Sequence, residues 1–139
     1  MKVLDSLKHE VIKIMDNDPA HDFEHVMRVY NNAKKISKQE KANQKLVLSA
    51  ALLHDIVSYP KSSKRSKFSS IDSAKKSKLI LKKYDFTAEE IIIVFDAIVD
   101  HSFSQNKIPQ TLEGKILQDA DRLDALGSIG IARVFATSG

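Results

Sequence analysis

Apolar residues recur at intervals of three and four along most of the chain, the spacing that places them on one side of an α-helix. The first segment, residues 2–16, shows this spacing at Val3, Leu4, Leu7 and Val11. No strand pairs with turn signals occur, and the chain contains only four glycines and three prolines. The predicted fold class is therefore all-α, a compact bundle of about six to seven helices in a single domain, residues 1–139. Further helices are predicted over about 22–38, 43–57, 69–83, 87–101 and 112–135.

Local signals mark where several of these helices begin or end. Asp22 is a predicted N-cap, because its carboxylate can accept a hydrogen bond from a free backbone N–H of the first turn. Thr87 and Glu90 have the spacing of a capping box, which predicts the start of the fifth helix. Gly127 and Gly130 are predicted to break or bend the last helix, since glycine weakens a helix interior.

The predicted helix over residues 43–57 is apolar on nearly all sides, which indicates a buried helix, and it contains His54 and Asp55 near its end. Burying an unpaired charge is very costly, so these two residues require a partner. A divalent cation would serve, because imidazole and carboxylate are common protein ligands of zinc, manganese, iron and nickel. The dipeptide is common by chance, and the hypothesis therefore needs further ligands elsewhere in the chain.

Composition and charge narrow the chemistry. The chain has no cysteine, which excludes disulfides, cysteine-bound zinc and a thiol nucleophile. No apolar run approaches the roughly 20 residues of a membrane span, and no secretory signal is evident, so a cytoplasmic location is expected. Nine basic residues and one acidic residue lie between positions 61 and 83. This segment could attract phosphates or be a solvated surface, whereas RNA binding is less expected because only Phe68 could stack on a base.

Candidate partners of the His-Asp pair lie far away in the sequence. His25 precedes His54 by 29 residues, and Asp121 follows Asp55 by 66 residues. Ligands so widely separated can meet only where different helices pack together, as in the metal sites of helical bundles. Two other histidines are candidates for supporting roles: His21, before the second helix, and His101, at the end of the fifth.

The order His, His-Asp, Asp resembles the signature of the HD superfamily of metal-dependent phosphohydrolases. The resemblance runs from about residue 18 to the C-terminus, and the Asp-Ala-Asp-Arg-Leu-Asp block makes it specific. It is closest to a branch of small bacterial and archaeal proteins described as predicted HD-domain hydrolases, some of them similar to nucleotide pyrophosphatases. The matching blocks are residues 21–29, 51–56, 101–104 and 116–127.

The resemblance implies a metal centre with four protein ligands. Asp119 is the alternative to Asp121, and the two cannot face one ion because residues two apart lie about 200° apart around a helix. A single divalent metal (Mn, Ni, Co, Fe, Zn or Mg) is expected, because residues 68–74 lack the further histidine of two-metal relatives. The expected ligands are His25, His54, Asp55 and Asp121.

The implied activity is hydrolysis of a nucleotide or related small phosphoester, with cleavage of a nucleoside triphosphate to monophosphate and pyrophosphate as the favoured reaction. Asp55 or Asp121 would orient the attacking water, and His101 would bind phosphate or transfer a proton unless it only caps its helix.

The alternatives are a 5'-nucleotidase and a module that binds a nucleotide or alarmone without turnover. A homo-oligomer is compatible with the sequence. The expected phosphate-binding residues are Arg28, Lys61, Lys64 and Arg65.

Two differences from the family bear on the expected activity. Ser58 follows Asp55 by one turn, at a place where some HD nucleotidases have a catalytic acid. A serine cannot act as a general base there, which disfavours that mechanism. Family members also continue into further helices beyond the position of Gly139, so a more open site or a smaller substrate pocket is expected.

Overall fold

The computed structural model describes residues 2–16, 22–60, 62–102 and 108–138, with side chains as far as Leu126. Their regular structure is six α-helices and one turn of 3-10 helix, and no strand occurs among these residues. This confirms the predicted all-α class. The helices are α1 (Lys2–Asp16), α2 (Phe23–Glu40), α3 (Gln44–Leu53), α4 (Ser69–Leu81), α5 (Ala88–Asp100) and α6 (Leu112–Ser138), with the 3-10 turn at Ser66–Phe68.

Helix α3 forms the centre of the bundle. Every residue from Leu46 to Leu53 is buried, and the helix contacts each of the other five α-helices. Burial of a leucine side chain contributes about 1.5–3 kcal/mol, so the apolar length of α3 is a large part of what holds the bundle together. Within the described parts of the chain, no helix combines the length and apolarity needed to cross a membrane.

The predicted helix starts are confirmed in atomic detail. The Asp22 carboxylate accepts a hydrogen bond from the His25 backbone N–H at 3.2 Å. The Glu90 N–H donates to Thr87 Oγ1 at 3.1 Å, and the Thr87 N–H donates to Glu90 Oε1 at 2.9 Å. These contacts satisfy backbone donors that the first turn of a helix cannot satisfy itself.

Two helix ends differ from the prediction. Helix α3 ends at Leu53, and His54 is its C-cap, so the His-Asp pair lies in the turn after the helix. Helix α6 continues through Gly127 and Gly130, so the break that was predicted as one of two possibilities, beside a bend, is wrong. A glycine in a helix interior costs about 0.8–1 kcal/mol relative to alanine, which weakens a helix without forcing an end.

Helix α4 holds the turn after α3 in place through two buried serines. The Ser73 hydroxyl accepts a hydrogen bond from the Val57 N–H and donates to the Val57 carbonyl, both at 3.0 Å. The Ser77 hydroxyl lies 2.7 Å from the Ser73 carbonyl and 3.4 Å from the Leu53 carbonyl. Both serines are fully buried. Their hydroxyls pair backbone groups on either side of His54 and Asp55.

Candidate metal centre

His25, His54 and Asp121 come together from three parts of the fold: helix α2, the end of α3 and helix α6. One ligand atom of each residue lies within 4.8 Å of the ligand atoms of the other two. Helices α2 and α6 are joined nearby, where the Asn32 amide donates to the Ala120 carbonyl at 3.2 Å. The distant sequence positions therefore converge through helix packing.

The ring of His54 has one nitrogen paired and the other unpaired. Its Nδ1 lies 2.6 Å from the Ala51 carbonyl, and because a carbonyl can only accept, Nδ1 carries the proton. Its Nε2 is buried and has no hydrogen-bond partner among the residues that the structure describes. Burial lowers the pKa of His54, which favours the neutral ring. A buried unpaired polar atom costs about 1–3 kcal/mol, and a divalent cation would accept this lone pair, so the donor set fits a metal ion.

His25 lies between two carboxylates of helix α6. Its Nε2 is 3.3 Å from Asp121 Oδ1, and its Nδ1 is 2.7 Å from Asp124 Oδ2. Hydrogen bonding to Asp121, opposed by burial and reinforced by Asp124, raises the pKa of His25 to about 9. Burial would raise the pKa of Asp121, but the hydrogen bond from His25 and the nearby histidines lower it overall. Carboxylate charge is therefore concentrated where a cation would bind.

Asp55 and His101 surround this group. Asp55 is half-buried in the turn beside His54. Its charge favours the protonated forms of His25 and His101, but it is a smaller influence than the hydrogen bond of His25 to Asp121 and the burial of His101. Among the described residues, one group has ligand atoms close enough together to hold a metal ion, and it consists of His25, His54 and Asp121. Asp55 is not part of that group. His101 is the C-cap of α5, and its Nδ1 donates to the Ile98 carbonyl. Burial, assisted by His54, lowers the pKa of His101 to about 4, so its ring is neutral near pH 7.

The predicted phosphate-binding residues occupy different environments. Arg28 donates from Nε to Asp124 Oδ1 at 2.6 Å while half of its side chain stays exposed. Lys64 and Arg65 are exposed, and the Arg65 guanidinium carbon lies 5.5 Å from the centre of the Tyr59 ring. Lys61 lies outside the described residues, as does His21. Of the three phosphate-binding candidates that the structure describes, Arg28 is the one that contacts a residue bonded to His25.

Asp124 is the site residue that the sequence interpretation missed. It lies three residues after Asp121, and that spacing places both carboxylates on one face of α6. Asp119, the alternative ligand, is exposed on another side of the helix. The sequence signal for Asp124 is therefore its spacing of three residues from Asp121. The sequence-based prediction considered only the spacing between Asp119 and Asp121.

The chain belongs to the HD domain family, whose model matches residues 22–126. It is 36% identical over 132 residues to the uncharacterized protein YpgQ of Bacillus subtilis strain 168. The match covers 91% of this chain and 61% of YpgQ, so the chain spans less than two thirds of the length of that relative.

Solved structures show the same fold. A predicted HD superfamily hydrolase from an uncultured Thermotogales bacterium is 36% identical, with a TM-score of 0.69, covering 99% of this chain and 75% of that one. An HD-superfamily hydrolase from Bacillus thuringiensis is 34% identical, with a TM-score of 0.73, covering 99% and 65%. Bacillus subtilis YpgQ in complex with ADP is 31% identical, with a TM-score of 0.69, covering 99% and 66%.

Proposed function

We propose that this protein is a metal-dependent phosphohydrolase acting on a nucleotide or a related small phosphoester. The observation that carries the proposal is the buried Nε2 of His54, which lies beside His25 and Asp121 and has no hydrogen-bond partner in the part of the chain that the structure describes. Such an atom is costly in a folded protein unless an ion, a water molecule or another polar group pairs with it. Membership of the HD domain family, together with the hydrolase designation of two structural neighbours, supports the same reaction class.

The proposed centre binds one divalent ion through His25, His54, Asp55 and Asp121. Two imidazoles and two carboxylates can bind several divalent first-row metal ions, and the affinities of these ions generally follow the Irving–Williams order. The chemistry that such an ion supplies is activation of water and polarisation of a phosphoryl oxygen. Asp55 is the proposed fourth ligand because it follows His54 directly and lies close enough to His25 for its charge to raise the pKa of that residue.

The proposed substrate is a nucleotide, with pyrophosphate release from a nucleoside triphosphate as the favoured reaction. The complex of YpgQ with ADP supports a nucleotide as the ligand class, because that relative shares the fold and 31% of aligned residues. Because ADP is neither a triphosphate nor a monophosphate, its presence in the YpgQ complex does not distinguish pyrophosphohydrolysis from 5'-nucleotidase activity. Arg28, Lys61, Lys64 and Arg65 are the proposed phosphate-binding cations.

The residues around the centre suit an attack by water on phosphorus. Asp55 or Asp121 would accept a hydrogen bond from that water and orient it, and one of them would take its proton. His101 presents a neutral ring whose Nδ1 is already committed to a carbonyl, so its Nε2 would accept rather than donate a hydrogen bond. Charge developing on the phosphate would be balanced by the cations, above all by Arg28.

The test is an activity screen with defined metals. Protein stripped of metal and reloaded with Mn²⁺, Ni²⁺, Co²⁺ or Mg²⁺ is incubated with nucleoside triphosphates, deoxynucleoside triphosphates and monophosphates, and released phosphate and pyrophosphate are measured. We expect pyrophosphate from triphosphates, with turnover lost in His54→Ala and retained in His9→Ala. His9 is exposed on α1 and serves as the matched control.

Other outcomes would redirect the proposal. Phosphate release from monophosphates alone would identify a 5'-nucleotidase. Intact nucleotide after hours with the metal-loaded protein, accompanied by measurable binding, would identify a nucleotide- or alarmone-binding module. Equal turnover in the wild type and in His54→Ala would contradict a role for this centre in the reaction.

A further inference from the structure

We propose that Asp124 is a positioning residue that holds a metal ligand and a phosphate-binding residue at the same time, one with each carboxylate oxygen. The two residues are His25 and Arg28. This inference rests on the proposed function, since it assigns Asp124 a task within that metal centre. Neither the family match nor the resemblance in sequence gives Asp124 a role.

The contacts of Asp124 are short and use both of its oxygens. Oδ2 lies 2.7 Å from His25 Nδ1, and Oδ1 lies 2.6 Å from Arg28 Nε. The Asp124 side chain is only 11% exposed. Hydrogen bonds that involve charged groups are stronger than neutral ones, and a carboxylate bound at both oxygens cannot rotate without losing one partner. The orientation of His25 and that of Arg28 are therefore linked.

For His25 the consequence is a fixed ring. Binding of a metal ion requires the neutral ring, and in that form a carboxylate at Nδ1 selects the tautomer whose lone pair is on Nε2, the nitrogen that lies 3.3 Å from Asp121 Oδ1. Partners of this kind orient metal-bound histidines, and their loss typically weakens metal affinity 10- to 100-fold. Asp124 thus presets the geometry in which His25 and Asp121 can share one ion.

For Arg28 the consequence is a fixed direction of the guanidinium group. With Nε donated to Asp124, the donors that remain are on its two terminal nitrogens. One of them, Nη2, lies 4.0 Å from Asp22 Oδ2, beyond hydrogen-bonding distance. Half of the Arg28 side chain is exposed. Among the described residues these donors make no hydrogen bond, so they could bind a phosphate beside the metal centre, and two parallel N–H donors suit phosphate oxygens.

The test compares Asp124→Asn and Asp124→Ala with Asp119→Asn, an exposed position on the same helix. An asparagine can accept a hydrogen bond from one partner but directs its NH₂ group at the other, so it cannot serve both. Mn²⁺ affinity is measured by titration calorimetry and by the electron paramagnetic resonance signal of free Mn²⁺. We expect Asp124→Asn to bind Mn²⁺ 10- to 100-fold more weakly than the wild type, and Asp119→Asn to bind it equally well.

A second readout separates positioning from loss of structure. The visible spectrum of the Co²⁺-loaded protein reports the ligand arrangement and should change in Asp124→Asn but not in Asp119→Asn. Arg28→Lys, which keeps the charge but loses the Nε contact with Asp124, should weaken Mn²⁺ binding less than Asp124→Asn does, because Asp124 still bonds His25. In the same variant, KM for whichever phosphorylated substrate is turned over should rise.

The outcomes are distinguishable from failure of the proposed function, because Mn²⁺ affinity and the Co²⁺ spectrum need no turnover. A wild type that binds Mn²⁺ but hydrolyses nothing would contradict the proposed reaction, while a weakened Asp124→Asn would still support this inference. Unchanged Mn²⁺ affinity and Co²⁺ spectrum in a folded Asp124→Asn would overturn it. If Asp124→Ala does not fold, the near-isosteric asparagine variant decides the result.

Discussion

The imidazole rings of His54 and His101 meet edge to face, with their centroids 5.1 Å apart and an interplanar angle of 85°. Each ring sits at the C-cap of its helix, α3 or α5, and each uses Nδ1 to donate to the carbonyl three residues before it. The last carbonyls of a helix have no partner within it. The histidines therefore complete two helix ends and at the same time fix both ring tautomers.

This arrangement explains how a polar centre is tolerated next to the core. His54 and His101 are buried, and burial is the largest influence that lowers the pKa of each. Two neutral rings can pack against each other without repulsion. Negative charge lies on the neighbouring carboxylates, among them Asp121, whose Oδ1 is 3.3 Å from His25 Nε2.

Metal binding should stabilise the protein, and the effect should depend on His54. Because Nε2 of His54 has no hydrogen-bond partner among the described residues, a bound ion adds an interaction that the unfolded chain lacks. At a free metal concentration of 100 times Kd, the gain in free energy of unfolding is about 2.7 kcal/mol. Thermal unfolding with and without Mn²⁺ measures it as a rise in Tm.

His54→Leu provides the corresponding variant, because leucine fills similar space without a ligand atom. We expect its Tm to respond little to Mn²⁺, whereas His9→Leu, changed at an exposed position, should respond like the wild type. An equal rise of Tm in His54→Leu and in the wild type would mean that the ion binds elsewhere.

The turn that presents His54 and Asp55 should depend on Ser73. Ser73→Ala removes both hydrogen bonds to Val57 and leaves the N–H and the carbonyl of this partly buried residue without their side-chain partner. A buried polar group left without its partner costs about 1–3 kcal/mol. Urea denaturation of the metal-free protein should show a loss of that order, and Mn²⁺ affinity should fall because the turn is less well held.

Ser6→Ala is the matched control for that experiment, since Ser6 is exposed on α1. Alanine has the higher helix propensity, so this change should be neutral or slightly stabilising. A Ser73→Ala protein as stable as Ser6→Ala would show that water replaces the lost hydrogen bonds and that the turn does not need the serine.

The sequence predicted the parts of the fold and the site that depend on periodicity and on capping chemistry. Apolar spacing placed six helices, and the residue types at Asp22 and Thr87 located two helix starts. The end of α3 was misplaced because the apolar run continues through Ile56, which is buried in the turn rather than in the helix. Hydrophobicity reports burial, and it does not by itself distinguish a buried turn from a buried helix.

The convergence of His25, His54 and Asp121 was predictable from a recognisable pattern, but its inner hydrogen bonds were not. Whether Asp124 reaches His25 depends on how α6 is rotated against α2, and that rotation is set by side-chain packing along the whole interface. Contacts of Arg65 with Tyr59 likewise depend on a loop path that no periodic pattern encodes.

The capping box of α5 should contribute measurably to stability. Thr87→Ala removes the acceptor for the Glu90 N–H and one side of the reciprocal pair. Replacing such a cap with alanine typically costs about 1 kcal/mol, within 0.5–2 kcal/mol. Thr87→Ser, which keeps the hydroxyl, should retain most of this stability in urea denaturation. Similar losses in both variants would mean that the methyl group, not the hydrogen bond, is what matters at this position.

Stability at acid pH should depend on Glu10, which joins α1 to the segment after α4. Its carboxylate accepts hydrogen bonds from Lys83 Nζ and from the Tyr84 hydroxyl, both at 2.7 Å. Burial alone would raise the pKa of Glu10, but these two partners outweigh it and lower that pKa below the usual value. Hydrogen bonding to Glu10 in turn raises the pKa of Tyr84 to about 12.

A carboxyl group with a lowered pKa in the folded state stabilises the protein above its unfolded pKa, and this contribution disappears as the pH falls through the folded pKa. We therefore expect Glu10→Gln to unfold more easily than the wild type at pH 7, by on the order of 1 kcal/mol. The two proteins should approach equal stability as the solution becomes more acidic than the folded pKa. Urea denaturation between pH 7 and pH 3 measures the difference, with the exposed Glu40→Gln as control. If the gap between the wild type and Glu10→Gln stayed constant over that range, the ionised form of Glu10 would not be what binds α1 to Lys83 and Tyr84.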